Sequence, residues 1–444
     1  MFVLPPQVNY ALRMLEGAGY EAYLVGGAVR DYVRGIGSAK DWDITTNAEP
    51  LEVKDVFSDY HIIETGLKHG TITVMISGEP LEITTYRVDG EYSDHRRPDE
   101  VHFTRSLRED LERRDFTMNA LAYNPSIGVV DYHGGSQDIA DGVVRCVGNA
   151  DTRFQEDALR ILRALRFASI FNFRIEDTTS EAIHRNKELL RNIAVERIQV
   201  ELTKTLCGPG IAHLLHDYSD VIAIPIPEIS PMIGFEQHNP HHDKDVWAHT
   251  IQVVASTPAD PVLRWTALLH DIGKPHCFSL ADDGVGHFYG HAEKSTELTK
   301  CILDRLRFDN ASKDRISTLV RYHDLPIAAE KKPVKRLMSK LGADTVRQLI
   351  EVHKADTKGQ SDICQYRIEE YEEVSKVLDT IFQEASCFSL KDLAINGNDL
   401  LAHGMRGPAI GAALENCLVA VIEEKIQNDK EALLQYVFEN LTTS

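Results

Sequence analysis

The stretch from residue 24 to residue 46 constrains this chain more strongly than any other part of its sequence. An apolar run leads into Gly26-Gly27, and the motif Asp41-Trp42-Asp43 follows. Side chains alternate along a strand, so Asp41 and Asp43 are expected on the same face. Two carboxylates on one face repel each other unless a cation lies between them. Mg²⁺ suits such a site, because it takes hard oxygen ligands and keeps positions open for phosphates.

The glycine pair predicts how an anion would approach this place. Gly26 and Gly27 carry no Cβ atom, so a triphosphate can come close to their backbone. A short helix that carries Arg30 is expected next, with its N-terminal amides facing the anion. Metal ligands and a cradle for pyrophosphate are the two parts that nucleotidyl transfer needs. On these residues alone, a turn with two solvated acids at the end of a strand remains open.

The order of these residues resembles a known superfamily. The motif Gly-Gly-Ala-Val-Arg-Asp at 26–31, followed by the two aspartates, is similar to the nucleotidyltransferases related to DNA polymerase β. Within them it resembles the bacterial class II tRNA nucleotidyltransferases, or CCA-adding enzymes, and the related poly(A) polymerases. The resemblance implies an α+β multidomain fold, in which a head of mixed sheet and helices precedes an all-helical neck, body and tail. The expected bounds are 1–145 for the head, 146–208 for the neck, 209–360 for the body and 361–444 for the tail.

Length and composition agree with a multidomain globular protein. A chain of 444 residues is expected to form two to four domains. Its formal net charge of −20 argues against a non-specific polyanion binder and leaves room for a local basic surface. We find no apolar run of about 18 residues and no signal-peptide pattern, so neither a membrane span nor secretion is predicted. Seven cysteines without a CxxC pair are typical of a reducing, cytoplasmic location.

A second block of polar residues follows the head strands. Arg113 and Arg114 stand side by side, a pair that can hold a triphosphate by bidentate hydrogen bonds. Asp115 and Asn119 supply an acceptor and a donor for a ribose hydroxyl, which would favour ribonucleotides. A charged helix surface explains the same residues if they are taken alone. The motif Arg-Arg-Asp-Phe-Thr-x-Asn-Ala resembles the ribose-recognition motif of the CCA-adding family, and the resemblance implies nucleotide binding here.

An acidic residue interrupts one of the apolar strands of the head. Glu82 stands between Leu81 and Ile83 in a strand predicted over residues 81–85. It is either a third carboxylate of the metal site or the acid of an edge strand that faces solvent. The sequence leaves both interpretations open.

A third block is predicted to form one continuous helix from residue 156 onward. Asp157 and Arg160 are three positions apart, so they are expected on one helix face, an acceptor beside a donor. Cytosine and adenine present an amino donor and then a ring-nitrogen acceptor, whereas guanine and uracil present the reverse order. The pair would therefore accept C and A, because each mismatched buried polar group costs about 1–3 kcal/mol. A surface ion pair worth roughly 0.2–0.5 kcal/mol is the alternative.

The resemblance gives this block a role. Glu156 to Arg160 matches the family motif Glu-Asp-x-x-Arg, in which the Asp and the Arg act as a protein template for the incoming base. Arg163 and Arg166 continue the row at three-residue spacing. They predict a basic stripe that suits the triphosphate or the phosphates of tRNA.

Histidine and aspartate residues in the second half form a separate set, in the order His…His-Asp…His…His…Asp. Imidazole with carboxylate suits a borderline divalent metal that activates water against a phosphoester. Each histidine taken alone is more often a structural residue, and His238, His241 and His242 are expected at the surface. The order resembles the HD phosphohydrolases. The resemblance implies a metal of unknown identity on His249, His270, Asp271 and Asp356, and it leaves open a second metal on His291 and His323.

The resemblance as a whole implies a CCA-adding tRNA nucleotidyltransferase that takes CTP and ATP with Mg²⁺ and carries an appended HD phosphohydrolase. Relatives that add CC alone lack part of a flexible loop between the first two motifs, and here a loop is present at 92–100. A poly(A) polymerase and a CC-adding or A-adding relative remain alternatives within the family. A function of another class also remains, an HD phosphohydrolase whose head serves as an RNA-binding module. The oligomeric state is not predicted.

Overall fold

The chain folds into two compact units, Met1–Ser230 and Pro231–Ser444. The structure, a computed structural model, describes residues 2–36, 41–90, 101–384 and 386–441. The loop predicted at 92–100 lies outside these residues. Among the described helices, none combines the length and the apolar character that crossing a membrane requires. The α+β multidomain fold class is confirmed, and short two-stranded ribbons interrupt the helical regions.

The first unit begins with a mixed sheet and the helices around it. The strands of this region are β1 (Ala22–Val25), β2 (Asp43–Thr46), β3 (His61–Ile63), β4 (Thr71–Ile76), β5 (Glu79–Thr85), β6 (Arg87–Asp89), β7 (Val101–Phe103), β8 (Leu121–Asn124) and β9 (Gly128–Asp131). The helices are α1 (Pro6–Gly17), α2 (Gly27–Val33), α3 (Pro50–Val56), α4 (Leu107–Glu112) and α5 (Gly135–Ala140). The strand predicted at 81–85 is confirmed and begins two residues earlier.

Seven of these strands form one sheet in the order β3-β4-β5-β2-β1-β8-β9, and β6 pairs with β7 separately. Strands β2 and β5 run parallel, with Asp43 opposite Glu82. The other neighbouring pairs of the sheet are antiparallel. Strand β5 lies between β4 and β2, so Glu82 does not belong to an edge strand, although its side chain is exposed to solvent.

The turn after β1 follows the sequence pattern closely. All four residues of β1 are buried, the strand ends at Val25, and α2 begins at Gly27 as predicted. The second strand differs from the prediction, because β2 begins at Asp43, which pairs with Val25. Asp41 therefore precedes the strand. The expectation that both aspartates belong to one strand and share its face is wrong.

Helices complete the first unit. They are α6 (Ala150–Glu156), α7 (Leu159–Phe171), α8 (Asp177–Asn186), α9 (Val195–Leu206), α10 (Ile211–Asp217) and α11 (Ser219–Ile222), with a parallel ribbon of β10 (Val143–Val144) and β11 (Arg174–Ile175). The continuous helix predicted from residue 156 is wrong, because the backbone of Asp157 is extended, with φ −134° and ψ 101°. Oδ1 of Asp157 accepts the N–H of Leu159 at 3.1 Å, so its side chain supports the start of α7.

The second unit consists of helices and one small antiparallel ribbon, β12 (Ser279–Leu280) with β13 (Gly286–His287). Its helices are α12 (Val246–Ser256), α13 (Pro261–Leu269), α14 (His291–Arg305), α15 (Asn310–Tyr322), α16 (Lys331–Leu341), α17 (Ala343–Gly359), α18 (Arg367–Gln383), α19 (Gly397–Ala402), α20 (Pro408–Ile422) and α21 (Lys430–Leu441). One hydrophobic core is formed by α13, α15, α16, α17 and α18. A second core lies among α19, α20 and α21.

Candidate functional sites

The carboxylates of the first unit meet where β2 begins. Residues paired across neighbouring strands point to the same face of a sheet, so Glu82 stands beside Asp43. The surrounding protein withdraws Asp43 partly from water, and this raises the pKa of its carboxyl group. The charges of Glu82 and Asp41 raise that pKa further, whereas Arg114 lowers it. Carboxylates in this arrangement suit a divalent cation, which would offset their mutual repulsion.

Glycine is required where β1 turns into α2. A Cβ atom on Gly26 would lie 3.5 Å from Oδ2 of Asp43 and 3.8 Å from NH1 of Arg114. Its φ of +71° is also a conformation that other residues rarely adopt. The turn therefore keeps space open between a carboxylate and a guanidinium group, where the sequence predicts the triphosphate.

A buried aspartate holds the two arginines of the second block. NH2 of Arg113 lies 2.8 Å from Oδ1 of Asp110, and NH2 of Arg114 lies 3.3 Å from its Oδ2. Burial raises the pKa of Asp110, but the two guanidinium groups outweigh it and hold that pKa below its usual value. Asp110 therefore stays charged and fixes both arginines in place.

Asp115 is the centre of a second network. Its Oδ2 accepts hydrogen bonds from Nε and NH2 of Arg163 at 2.8 and 2.5 Å, and its Oδ1 accepts one from Nδ2 of Asn119 at 3.0 Å. The amide oxygen of Asn119 accepts one from NH1 of Arg30 at 2.8 Å. Burial raises the pKa of Asp115, but Arg163, Asn119 and Arg160 lower it to about 2. The network connects α2, α7 and the turn after α4.

Asp157 and Arg160 are not paired with each other. NH1 of Arg160 donates to Oε2 of Glu156 at 2.7 Å, and its NH2 donates to the carbonyl of Arg113 at 3.1 Å. Oδ2 of Asp157 lies 3.4 Å from NH2 of Arg197 on α9. The predicted i,i+3 pair on one helix face is therefore wrong, because α6 ends before Asp157 and α7 begins after it.

The prediction that Arg163 and Arg166 form a basic stripe is also wrong, because each of them is paired with a carboxylate. Arg163 is bonded to Asp115, and NH1 of Arg166 lies 3.0 Å from Oε1 of Glu201. The side chains of Arg166 and Glu201 are 11% and 8% exposed, so this ion pair lies almost fully inside the first unit. Arg166 therefore has a structural partner, whereas Arg163 still reaches the cavity described next.

One cavity of about 360 Å³ gathers most of the predicted nucleotide-binding residues. Six arginines and three aspartates line it, and this excess of positive charge suits a polyphosphate. Its lining comprises Gly26, Gly27, Arg30, Asp43, Arg113, Arg114, Asp115, Asn119, Asp157, Arg160, Arg163, Phe167 and Arg197. Of the predicted set, Asp41 and Arg166 are not part of this lining.

The predicted metal ligands of the second unit converge from α12, α13 and α17. Nε2 of His249 lies 3.0 Å from Oδ1 of Asp356 and 3.4 Å from Oδ2 of Asp271. Nε2 of His270 lies 3.1 Å from the same Oδ2 of Asp271 and 3.6 Å from Oδ1 of Asp356. The four side chains are 0–18% exposed, so their mutual contacts replace water.

Asp271 also faces a second pair of histidines. Its Oδ1 lies 3.5 Å from Nε2 of His291 and 3.6 Å from Nε2 of His323. The two Nε2 atoms are 3.2 Å apart. Asp271 thus stands between two groups of side chains. Ligand atoms of Asp271, His249 and His270, and likewise those of Asp271, His291 and His323, are close enough to share one metal ion. We refer to both groups together as the His–Asp cluster.

Backbone carbonyls orient three of these imidazole rings, those of His270, His291 and His323. A carbonyl can accept but not donate, so each Nδ1 carries the proton and each Nε2 points into the cluster. The Nδ1 atoms donate to Ala267 at 2.8 Å, Phe288 at 2.9 Å and Val320 at 2.6 Å. This orientation is typical of histidine that binds a metal through Nε2.

Charge inside the His–Asp cluster is balanced by protons and by one lysine. Burial lowers the pKa of His270, but the carboxylates of Asp271 and Asp356 outweigh it and raise that pKa to about 10. Nζ of Lys274 lies 2.7 Å from Oδ2 of Asp271 and 2.9 Å from Oε1 of Gln237. The cluster opens into a cavity of about 280 Å³ that Lys274 also lines. A divalent cation could take the place of the imidazolium proton.

Three family models match separate parts of the chain. The Poly A polymerase head domain matches residues 22–145, which contain the sheet and the second block. The family described as probable RNA and SrmB-binding site of polymerase A matches residues 172–220. The family described as tRNA nucleotidyltransferase domain 2, putative, matches residues 291–437.

Relatives that extend over the whole chain decide the family. The CCA-adding enzyme of Levilactobacillus brevis is 34% identical over 438 residues and covers 98% of both chains. That of Lactobacillus johnsonii is 32% identical over 437 residues, covering 96% of this chain and 95% of the relative. The chain belongs to the CCA-adding enzyme family. The crystal structure of the Bacillus stearothermophilus CCA-adding enzyme in complex with CTP has a TM-score of 0.72 and 27% identity, and it covers 99% of each chain.

The motifs of the CCA-adding family do not include every residue that supports the nucleotide cavity. Asp110, Arg197 and Glu201 were missed, although each pairs with a predicted site residue. Asp110 had a local signal, because it stands three and four positions before the two arginines, the spacing at which charged side chains meet on a helix. Arg197 and Glu201 belong to α9, and the packing of α9 against α7 is not visible in the sequence.

The second unit corrects one prediction and adds one residue. Of the three histidines predicted at the surface, two are exposed, but His242 is half-buried and its ring meets that of His249 edge-on, with centroids 4.9 Å apart. Burial, followed by the charges of Lys274 and His249, lowers the pKa of His242 to about 3. Gln360 donates from Nε2 to Oδ2 of Asp356 at 2.9 Å, which leaves Oδ1 facing the histidines.

Proposed function

We propose that this chain adds CCA to the 3′ end of tRNA, without a nucleic-acid template, from CTP and ATP with Mg²⁺. The observation that carries the proposal is the single cavity in which Asp43 lies together with the arginines of the second block and with Asp157 and Arg160. Membership of the CCA-adding family supports the reaction, and a relative in complex with CTP supports one of the substrates.

In this proposal Asp41 and Asp43 hold Mg²⁺, and Glu82 joins them as a third carboxylate. The donor set fits this ion, because it offers hard carboxylate oxygens and because neighbouring acids raise the pKa of Asp43. Bound Mg²⁺ would activate the 3′-hydroxyl of the tRNA and offset charge on the leaving pyrophosphate. The residues of this chain hold the carboxylates in register across β2 and β5 and leave the glycine turn open for the phosphates.

The nucleotide itself is held by the two networks. Arg113 and Arg114 bind the triphosphate, since Asp110 fixes both guanidinium groups at the wall of the cavity. Asp115 and Asn119 read the ribose hydroxyl. Their hydrogen bonds to arginines on other elements keep both side chains in one position before the nucleotide arrives.

Asp157 and Arg160 select the base in this proposal. The carboxylate accepts from the amino group of C or A, and the guanidinium group donates to the neighbouring ring nitrogen. Guanine and uracil would place donor against donor and acceptor against acceptor, at about 1–3 kcal/mol for each mismatched group. Ion pairs with Glu156 and Arg197 hold the two side chains, so they act from neighbouring positions without forming a pair.

Extension of tRNA one nucleotide at a time tests this function. Three transcripts would be used, one without the CCA end, one ending in CC and one ending in CCA, each with every single NTP and with CTP plus ATP. We expect the shortest to grow by C, C and A and then to stop. Arrest after CC, activity on the CC-ended transcript alone, or continued addition of A would identify a CC-adding, A-adding or poly(A) enzyme respectively and overturn the proposal.

A second function is supported by the His–Asp cluster. We infer that His249, His270, Asp271 and Asp356 hold a divalent metal, and that Asp271 shares a second metal with His291 and His323. These residues fit a metal because three of the imidazole rings bind backbone carbonyls through Nδ1, so that their Nε2 atoms face the carboxylates. Such a metal would supply an activated water for hydrolysis of a phosphoester, as in the HD phosphohydrolases.

Metal uptake by the whole chain tests the second function without assuming a substrate. Titration calorimetry with Mn²⁺ should show, beside any binding to the carboxylates of the first unit, a binding event that is lost in the variant His270→Ala. The variant His276→Ala, whose ring is outside the cluster, should bind like the wild type. Equal uptake by all three proteins would show that the His–Asp cluster holds no metal.

A further inference from the structure

The mouth of the His–Asp cavity carries an exposed aromatic ring. Tyr289 lines the cavity together with Asp271 and His291 and is nonetheless 78% exposed. Its ring stacks on that of His287, with centroids 5.2 Å apart and planes within 9° of parallel. His287 therefore supports one face of the tyrosine ring, and the other face remains open to a ligand that enters the cavity.

Local structure fixes this ring relative to the metal ligands. Strand β13 ends at His287 and α14 begins at His291, so Tyr289 lies in a short connection between two ordered elements. The carbonyl of Phe288 accepts the Nδ1–H of His291 at 2.9 Å. Nζ of Lys274, which is bonded to Asp271, lies 5.3 Å from the centre of the Phe288 ring. The residue before Tyr289 is thus bound to the cluster, and this places the backbone of Tyr289 at the mouth of the cavity.

The size of the cavity limits how much of a substrate it can enclose. Its volume of about 280 Å³ is below the roughly 300–1,000 Å³ of pockets that bury a whole ligand. Metal ions and a phosphoryl group at the His–Asp cluster would occupy much of this space. The rest of a larger phosphoester must therefore lie at the mouth, where Tyr289 offers a flat surface.

We propose that Tyr289, supported by His287, stacks against the base of a nucleotide phosphoester whose phosphoryl group lies at the His–Asp cluster. An aromatic face accepts any base, because every base has a π-face, so this contact selects nucleotides over sugar phosphates without reading sequence. The proposal rests on the phosphohydrolase function inferred above for the second unit. It assigns that site a substrate class and assigns two residues the task of recognising it.

Binding to the Mn²⁺-loaded full-length chain tests the proposal with a pair of ligands that differ in the base. Calorimetric titrations would compare adenosine 5′-monophosphate with ribose 5-phosphate. A variant that combines His270→Ala and Asp271→Ala reports nucleotide bound elsewhere, including the cavity of the first unit, and its heat is subtracted. A short RNA with a 3′-phosphate, titrated in parallel, shows whether a free nucleotide or an RNA end binds more tightly.

Tyr289→Ala should weaken binding of the adenosine phosphate by roughly 5- to 150-fold, the range for loss of a base-stacking ring, and leave ribose 5-phosphate unchanged. Tyr289→Trp should restore the affinity. Leu280→Ala, which removes an exposed apolar side chain from the neighbouring β12–β13 ribbon, should change binding of neither ligand. If Tyr289→Ala takes up Mn²⁺ normally and binds both ligands as the wild type does, or binds both equally weakly, the stacking role of Tyr289 is wrong and the metal site stands. Mn²⁺ uptake by the wild type equal to that of the variant with both His270→Ala and Asp271→Ala would instead overturn the underlying metal site.

Discussion

Glu82 allows a direct test of the proposed Mg²⁺ site. It stands opposite Asp43 on β5, and burial and then the charge of Glu82 raise the pKa of Asp43. If both carboxylates bind Mg²⁺, Glu82→Gln should raise the Mg²⁺ concentration for half-maximal CTP incorporation at least about tenfold. A titration of Mg²⁺ at saturating CTP and tRNA measures this effect.

The matched control for that prediction is Glu79→Gln on the same strand. Glu79 and Glu82 are three positions apart, so they point to opposite faces of the sheet. The Mg²⁺ requirement of Glu79→Gln should equal that of the wild type. If Glu82→Gln also kept the wild-type requirement, Glu82 would be a solvated acid and not a ligand.

Asp115 connects the nucleotide cavity to the stability of the first unit. Its pKa is about 2 in the folded protein, and the usual value is 3.8. A lowered pKa contributes stability above the unfolded value, here about 2 kcal/mol, and this stability is lost as the pH falls towards 2. Asp115→Asn should therefore be less stable than the wild type at pH 7, and the difference should shrink below about pH 4.

Urea denaturation at pH 7, 4.5 and 3 checks this expectation. Asp59→Asn, which changes an exposed carboxylate of the same unit, serves as the control and should have little effect at any of these pH values. A stability difference for Asp115→Asn that did not depend on pH would show that shape, and not charge, explains the role of Asp115.

Residue identities could be predicted from local motifs, but their partners could not. Gly26, Asp43 and the Arg113–Arg114 pair stand in short sequence patterns, and the structure brings them to one cavity. The partners of Asp157 and Arg166 are on α9, some 35 to 40 positions away. No spacing rule connects such distant residues, because it is the packing of α9 on α7 that decides which charges meet.

At the scale of elements, periodicity predicted the helices well but not their breaks. The helical pattern continues through Asp157, where the chain is extended. Gly208 and Gly210 stand at the expected bound between neck and body, inside the first compact unit. A Cβ on Gly208 would lie 2.5 Å from the carbonyl carbon of Ser169, and the N–H of Gly210 donates to the carbonyl of Ser169 at 2.9 Å. These glycines permit close packing on α7.

The contact between α12 and α17 carries a prediction of its own. A Cβ on Gly359 would lie 2.7 Å from Cγ2 of Val253 and 2.8 Å from Nδ1 of His249. Gly359→Ala should therefore push the two helices apart, at about 1–3 kcal/mol of stability, and displace His249 from Asp356. We expect the affinity for Mn²⁺ to fall at least about tenfold, while CTP incorporation by the first unit is retained.

Gly411→Ala is the control for this prediction, because a Cβ there would meet no atom within 4 Å. It lies in α20, where alanine favours a helix more than glycine does, so stability should be equal or slightly higher. Calorimetry with Mn²⁺ and a thermal unfolding curve would be recorded for both variants. Wild-type Mn²⁺ affinity in Gly359→Ala would show that the position of His249 does not limit metal binding.

At the scale of the whole molecule, a head of mixed sheet followed by helical regions could be predicted from the sequence. The chain divides into its two compact units between Ser230 and Pro231, and residues 209–230, expected in the body, group with the first unit. The predicted domain bounds stay predictions. The net charge of −20 excluded a generally basic RNA-binding surface. It could not show that six arginines gather in one cavity, since that depends on the fold.

The division of chemistry between the units is open to a reciprocal test. Asp43→Ala removes a carboxylate of the first unit and should abolish CTP and ATP incorporation while Mn²⁺ uptake by the His–Asp cluster persists. Asp271→Ala removes the carboxylate that both histidine groups share, so it should abolish that uptake and any phosphohydrolase activity while incorporation persists. Incorporation that survived in Asp43→Ala would show that the catalytic assignment of this aspartate is wrong. Loss of incorporation in both variants would show that the two sites depend on each other.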